Sequence, residues 1–418
     1  MATNFLRVTN VFVPGGIPQI TYISREEHQL EAQVSSAKDN LSKLLVVTGP
    51  TKSGKTVLVD RLFPRDASIW VDGGAISDEE SFWDCIIEKA SLFTSVEESN
   101  NSEFGGEASG ELSAEGGIFV AKGSATLSAG VHAMSGMTSS RSRVTSSKIV
   151  AVNALQTMQT PLIVDDFHYI NKDVQKAIVR ALKSPIMHGL PVIFIAIPNR
   201  KYDSVEVERE MTGRIENVEM PIWSRQELAN IAQTGFRSLN IAVKQELIDR
   251  LTSAAYGSPF LMQEFCKELC LQSEIAEKTP SVQYISEKID ESEIFKGIAE
   301  HSGRSMFDKL KRGPRARTDR KPRRLRNGTT TDIYGVVMEA LKNTQPGVET
   351  IPYDTLRANI RSILDDDLPQ KHEISRVLDK IAEISYTDAS STPVIDWQRD
   401  DDILTITDPF FAFYLKWA

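Results

Sequence analysis

The stretch Leu44-Leu45-Val46-Val47-Thr48-Gly49-Pro50-Thr51-Lys52-Ser53-Gly54-Lys55-Thr56 decides the fold. An apolar run of buried-strand type empties into Gly-x-x-x-x-Gly-Lys-Thr, and the amphipathic segment Val57-Leu58-Val59-Asp60-Arg61-Leu62-Phe63 follows. A loop that wraps a triphosphate does so with backbone N–H groups, so glycine is needed where a side chain would block the approach or forbid the turn. Gly49 and Gly54 stand at those places, with Pro50, Thr51, Lys52 and Ser53 forming the arc between them. Lys55 can then reach the β- and γ-phosphates and Thr56 can offer its hydroxyl to Mg²⁺. The helix starting there, with Val57 in its first turn, adds free N–H donors and a favourable dipole. ATP with Mg²⁺ is the ligand this arrangement predicts. The competing reading, a glycine-rich turn with a surface lysine, leaves the strand before and the helix after without a purpose.

A chain of 418 residues is long enough for about two to three domains. Its apolar and charged fractions, 41% and 25%, are those of a water-soluble globular protein. No apolar run approaches the roughly 20 residues of a membrane helix, so no membrane partner is expected. Met1-Ala2-Thr3-Asn4-Phe5-Leu6-Arg7 lacks a signal-peptide apolar core, and a cytoplasmic location is expected. Cys85 is alone, Cys266 and Cys270 sit one helical turn apart as packed thiols, and no histidine-cysteine cluster speaks for zinc. The net charge of −9 hides an asymmetry. Between Arg304 and Arg326 there are eleven Lys or Arg against Asp308 and Asp319, so this segment carries +9 and the remainder −18. A basic arm on an acidic body is a binding device, for nucleic-acid phosphates or for an acidic protein surface.

A second motif is Pro161-Leu162-Ile163-Val164-Asp165-Asp166-Phe167-His168. Ligands of parallel sheets collect at the carboxyl ends of the strands, which makes Asp165 the expected Mg²⁺ ligand. Further strands are read at Ala67–Asp72 and Leu190–Arg200, and helices at Glu79–Leu92, Ile149–Met158 and Lys172–Lys183. Between them, residues 99–147 are rich in Gly, Ser and Ala, with alternating stretches at Ile118–Ala121 and Ala125–Val131. They read as a flexible linker or as a hairpin projecting from the sheet. Helices follow at 225–239 and 243–256, with a third running to Cys270. The stretch Leu310–Gly328 has two prolines, two glycines and almost no apolar residue, and is expected to contribute nothing to a core. Three helical patterns and two alternating strands, Val394–Trp397 and Ile403–Thr407, then describe a winged helix. Its third helix carries Arg376 and Lys380 against Glu373, Asp379 and Glu383, a balance that weakens DNA reading.

Phosphate loop, Asp165-Asp166, Arg214, three-helix segment and winged helix come in an order that resembles AAA+ and STAND ATPases of the archaeal-ATPase and origin-recognition-like type. The resemblance spans most of residues 20–275 and 332–418. It implies that Tyr22-Ile23-x-Arg25-Glu26 is the box beside the base, with Ile23 and Arg25 as contacts. The alternative there is a plain helix capped by Ser24, with Glu27 completing a capping box. By the same resemblance Asp166 stands where a glutamate polarises the attacking water, and its shorter reach implies slow hydrolysis. Asn199 stands at the sensor of the γ-phosphate, with Arg200 competing. His168 either touches the γ-phosphate region or packs on the next helix. Arg214 matches the arginine finger that acts on a neighbouring subunit, the alternative being a surface arginine. Gly257-Ser258-Pro259 resembles the lid motif of STAND ATPases, which makes Pro259 a nucleotide contact, although the second sensor arginine of AAA+ lids is missing.

The expected organisation is a base box and N-terminal segment at 1–43, an α/β P-loop core at 44–223 with the 99–147 insertion, a helical lid at 224–300, a basic arm at 301–330 and a winged helix at 331–418. The resemblance implies an ATP-binding, slowly hydrolysing switch that forms homo-oligomers and controls a separate effector protein, an arrangement associated with anti-phage defence in prokaryotes. The alternatives are a DNA-binding AAA+ ATPase of transposition or replication initiation and a nucleotide-binding scaffold that does not hydrolyse.

Overall fold

The computed structural model of the chain describes residues 6–39, 42–92, 95–101, 138–144, 146–197, 211, 213–285, 289–315, 320–344, 350–387 and 393–418. The chain divides into two compact units, one of residues 33–47 and 62–218, the other of 1–32, 48–61 and 219–418.

Seven strands belong to the α/β part, in chain order β1 (Leu44–Thr48), β2 (Ile69–Asp72), β3 (Ser95–Asn101), β4 (Thr138–Val144), β5 (Leu162–Asp165), β6 (Val192–Ala196) and β7 (Ile215–Glu219). Five form one sheet in the order β2-β5-β6-β1-β7. Every residue of β1 and β6 is buried, as continuous apolar runs must be in strands covered on both faces. β2 and β5 pair in parallel with Asp72 opposite Asp165, so the sheet gathers its carboxylates at one edge. The helix Glu79–Lys89 begins where the sequence stops it from beginning earlier: Asp78 accepts from the Ser81 N–H and the Ser81 hydroxyl returns to the Asp78 backbone. Its inner face, with Phe82 and Trp83 edge to face at 4.8 Å, joins the core in which Phe167 stacks on Phe194 at 4.0 Å.

β3 and β4 pair antiparallel from Ser95 opposite Val144 to Asn101 opposite Thr138. The ends of the Gly/Ser-rich insertion thus form a two-stranded ribbon, while the alternating stretches 118–121 and 125–131 lie outside the described residues.

The other unit holds the lid helices Arg225–Ser238, Gln245–Ala254 and Pro259–Gln272. Helices Ile333–Thr344, Tyr353–Ile363 and Lys371–Thr387 follow, with a three-stranded sheet ordered Thr350–Pro352, Ile403–Ile406, Ile395–Gln398. That is a winged helix. The last helix, Pro409–Trp417, is buried from Pro409 to Leu415. Phe413 lies 5.2 Å from Phe265 of the lid, and Trp417 lies 4.7 Å from Phe295 of the helix Glu291–Ser302. Lid and winged helix therefore share one apolar core, each large side chain adding about 1.5–3 kcal/mol on burial.

Two expectations are corrected here. The basic arm does form core: Arg304–Arg312 is a helix that buries Phe307 and Leu310, and Leu325 is buried beyond it. Two apolar residues three apart face inward on a helix whatever charges surround them, which a count of apolar residues overlooks. Nor does a helix start at Ser24. Arg25 leads into a single 3₁₀ turn, Glu26–His28, no side chain caps it, and the helix Leu30–Ser35 begins only after Gln29 turns left-handed.

Candidate nucleotide site

The loop that leaves β1 is tightly seated. A Cβ on Gly49 would come within 2.8 Å of the Met220 Cβ, so no other residue fits there. Lys52 and Gly54 both have positive φ, 55° and 95°, and bend the backbone into a tight turn in which the Ser53 N–H donates to the Pro50 carbonyl at 3.3 Å. The helix Lys55–Leu62 starts immediately after. Lys55 is buried and donates to the carbonyls of Gly49 and Pro50 at 2.9 and 2.8 Å, which aims its ammonium across the loop's mouth. The Ser53 hydroxyl is buried with no hydrogen-bond partner among the described residues. A tightly bent glycine-bearing loop, an enclosed cation and an unsatisfied hydroxyl fit a phosphate chain.

Beside this loop, within the same unit, lies an apolar cleft lined by Gly54, Val57, Ile23, Trp223 and Pro259, with Tyr22, Arg25, Glu31 and Gln263 at its polar positions. Ile23 and Pro259 thus stand where the resemblance implied a base. Pro259 is the first residue of its helix, behind the Ser258 cap, a position where its missing N–H costs nothing. Arg25 lines the cleft with its guanidinium already engaged. Its guanidinium is committed to Glu227 at 2.6 Å and to the carbonyls of Pro221 and Ile222, and it lies over the Trp223 ring at 4.8 Å. It builds the wall of the cleft. Trp223 went unnoticed in the sequence, and Tyr22 was read there only as part of the box. The Trp223 indole N–H donates to the Ser53 carbonyl at 2.8 Å, joining the cleft wall to the phosphate loop. Tyr22 donates to Glu31 at 2.7 Å under the guanidinium of Arg61, and burial together with Glu31 pushes its hydroxyl well above the usual range. An aromatic residue placed between a strand and a helix cap was the available signal for Trp223.

In the other unit β5 ends at Asp165. Its Oδ1 accepts the Asp166 N–H at 3.0 Å, and Asp166 turns left-handed at φ 50° to open the turn Phe167–Tyr169. The turn is possible because Gly73 faces it: a Cβ there would sit 2.4 Å from the Asp166 carbonyl. Asp72, Asp165 and Asp166 collect at this edge, and after burial their charges help raise the Tyr169 hydroxyl. His168 is buried with its ring 4.1 Å from that of Tyr169, its neighbour in the turn. Among the described residues no group of three or more His, Cys, Asp and Glu could hold a metal ion by itself.

β6, the strand between β5 and β1, ends at Ala196; Asn199 and Arg200 lie outside the described residues. Arg214 precedes β7. Its carbonyl accepts the N–H of Leu44, the first residue of β1, at 2.8 Å. It therefore sits a strand length, roughly 13 Å, from the carboxyl end of its own β1.

The basic arm is largely spoken for by its own unit. Arg320 pairs with Asp332 and lies over Tyr334 at 4.4 Å, buried Arg323 donates to the Asp367 carbonyl at 3.1 Å, and Arg326 donates to the Leu364 carbonyl, while Arg324 donates to Asp366 only through its backbone N–H and leaves its guanidinium exposed, 3.8 Å from Asp365. Arg315 and Lys321 are exposed, and Arg317 lies outside the described residues.

No known family profile matches the chain, and no curated protein does either. Solved structures do. The chain is similar to the Walker-type ATPase of Pyrococcus abyssi at a TM-score of 0.52 and 12% identity, covering 95% of this chain and 99% of that one. The Orc1 protein of Aeropyrum pernix, solved in complex with DNA, is matched at 0.45 and 12% identity over 99% and 96% of the two chains. A STAND protein with a tetratricopeptide-repeat sensor from Pyrococcus horikoshii is matched at 0.36 and 12% identity, over 94% of this chain and 42% of that one. The likeness establishes a fold, and among the described residues no helix is long and apolar enough to cross a membrane.

Proposed function

We propose that this chain, a P-loop ATPase of AAA+ type in its fold with a winged helix at its C-terminal end, is a nucleotide-controlled switch that hydrolyses ATP slowly. The observation that carries the reading is the seating of an apolar cleft against the phosphate loop, joined by the hydrogen bond from Trp223 to the Ser53 carbonyl. In this reading the loop from Gly49 to Thr56 holds the phosphates, Ile23, Val57, Trp223 and Pro259 hold the base, and Arg25 with Glu227 keeps the wall upright. Thr56 and Asp165 would hold Mg²⁺, which would supply positive charge against that developing on the phosphates. Asp166 accepts a proton from the attacking water, with less reach than a glutamate. Asn199 senses the terminal phosphate.

Arg214 serves a neighbouring copy, because its place at the amino end of β7 leaves its own site beyond reach. The active form is then a homo-oligomer, and the winged helix and lid, sharing one core, respond to the nucleotide as one body. With no second catalytic centre among the motifs, the output passes to a separate effector protein, anti-phage defence being the setting the resemblance implies. The DNA-binding alternative is less supported: the guanidinium groups of Arg320, Arg323 and Arg326 are already engaged within the chain. Equilibrium binding of a fluorescent ATP analogue, followed by phosphate release at increasing protein concentration, tests the proposal; no binding would sink it.

A further inference from the structure

Lys52, in the middle of the phosphate loop, turns its side chain toward two aromatic rings. Its ammonium lies 4.5 Å from the ring centroid of Phe260 and 4.0 Å from that of Phe410. The rings meet edge to face at 4.9 Å. Phe260 is the second residue of the lid helix Pro259–Gln272 and Phe410 the second of the last helix Pro409–Trp417. Asp408 caps that last helix, accepting from the Phe411 N–H at 2.8 Å, and its buried carboxylate is the charge that acts on Lys52. Burial lowers the affinity of Lys52 for its proton and raises that of Asp408, and in each case the other's charge opposes the shift. Lys52 also carries φ 55°, a left-handed conformation that a non-glycine residue keeps only where its surroundings hold it.

We infer that Phe410 and Asp408 of the last helix, with Phe260 of the lid, are positioning residues for the phosphate loop: by caging the Lys52 ammonium they hold the loop in its phosphate-binding arc. The inference rests on the nucleotide reading above and deepens it. Coupling of this kind is reciprocal. Whatever tightens the loop also tightens the seating of the last helix, so a bound nucleotide strengthens the hold on the winged-helix end of the chain, and release of that helix weakens nucleotide binding.

The test compares Phe410→Leu with Phe413→Leu in the full chain. Both remove a ring from the same buried helix, but only Phe410 touches Lys52. Phe410→Leu is expected to weaken binding of a fluorescent ATP analogue by roughly three- to tenfold, and Phe413→Leu to leave it unchanged although it lowers Tm as much or more. Equal effects of the two, or tighter binding by Phe410→Leu, overturn the inference. A cycle without nucleotide, Lys52→Met against Phe410→Leu read by Tm, is expected to be non-additive by about 2 °C, with Lys52→Arg retaining the coupling; additivity overturns the cage. A wild-type chain that binds no nucleotide would refute the nucleotide reading, and with it the positioning role, while the cycle still decides whether the cage exists.

Discussion

Burial alone would raise the Glu227 carboxyl, but hydrogen bonds from Arg25 and from Ser224 outweigh it and hold the group below its usual range. A lowered folded-state value means stability that is present above the unfolded value near 4.5 and lost as pH falls. Acid unfolding of the wild type should therefore be steeper below about pH 4.5 than that of Glu227→Gln, which would start lower at neutral pH and fall less; circular dichroism against pH decides it. Asp408 acts in the opposite sense: burial raises it, so its contribution is largest in acid and is lost as pH rises. Arg25→Ala removes the counter-charge of Glu227 together with two carbonyl contacts and should cost about 3 kcal/mol of stability in a denaturant titration. At the phosphate loop, Lys55→Ala should weaken nucleotide binding on the order of a hundredfold or more. Asp166→Ala should leave binding intact and slow turnover at least about a hundredfold. Unchanged affinity in the lysine variant would remove the centre of the functional reading.

Among the elements, the junction of β7 with the lid helix Arg225–Ser238 has the most to say about the site. Trp223→Phe keeps an aromatic face but deletes the hydrogen bond to Ser53, worth about 1 kcal/mol, so nucleotide affinity should fall about fivefold with little change in Tm. Equal affinity would make the indole N–H a bystander. This contact shows where reading from sequence stops. The loop, β1, β5 and the winged helix were legible because their patterns are local: continuous apolar runs, glycines at fixed spacing, capped helices. Trp223 bonding to Ser53 and Arg25 bonding to Glu227 join residues 170 and 202 positions apart, and no period or spacing encodes such a meeting. The arm failed differently. Phe307 and Leu310 were two apolar residues in a basic field, and only the helix Arg304–Arg312 puts both on one face.

For the whole molecule the decisive variable is concentration. Turnover per chain should rise with protein concentration in the wild type and stay flat in Arg214→Ala, whose assembled rate should fall about a thousandfold; first-order behaviour in both would return Arg214 to an ordinary surface role. If the arm tracks nucleic acid, affinity for duplex DNA should drop with salt at a slope near −0.9 per phosphate neutralised. Since the side chains of Arg320, Arg323 and Arg326 are already held within the winged-helix unit, a shallow slope is expected, along with altered assembly when Arg315, Arg317, Arg320, Lys321, Arg323 and Arg324 are neutralised. One feature of the sheet-bearing unit reaches beyond ATP. The ladder of β3 with β4 brings Asn101 directly opposite Thr138, so the two ends of whatever lies between them are already neighbours. Closing a loop across such a gap costs entropy that grows only with the logarithm of its length. The ribbon is therefore a splice point, at which Asn101 and Thr138 stand close enough to be joined by a short turn, a reporter or an entire foreign domain.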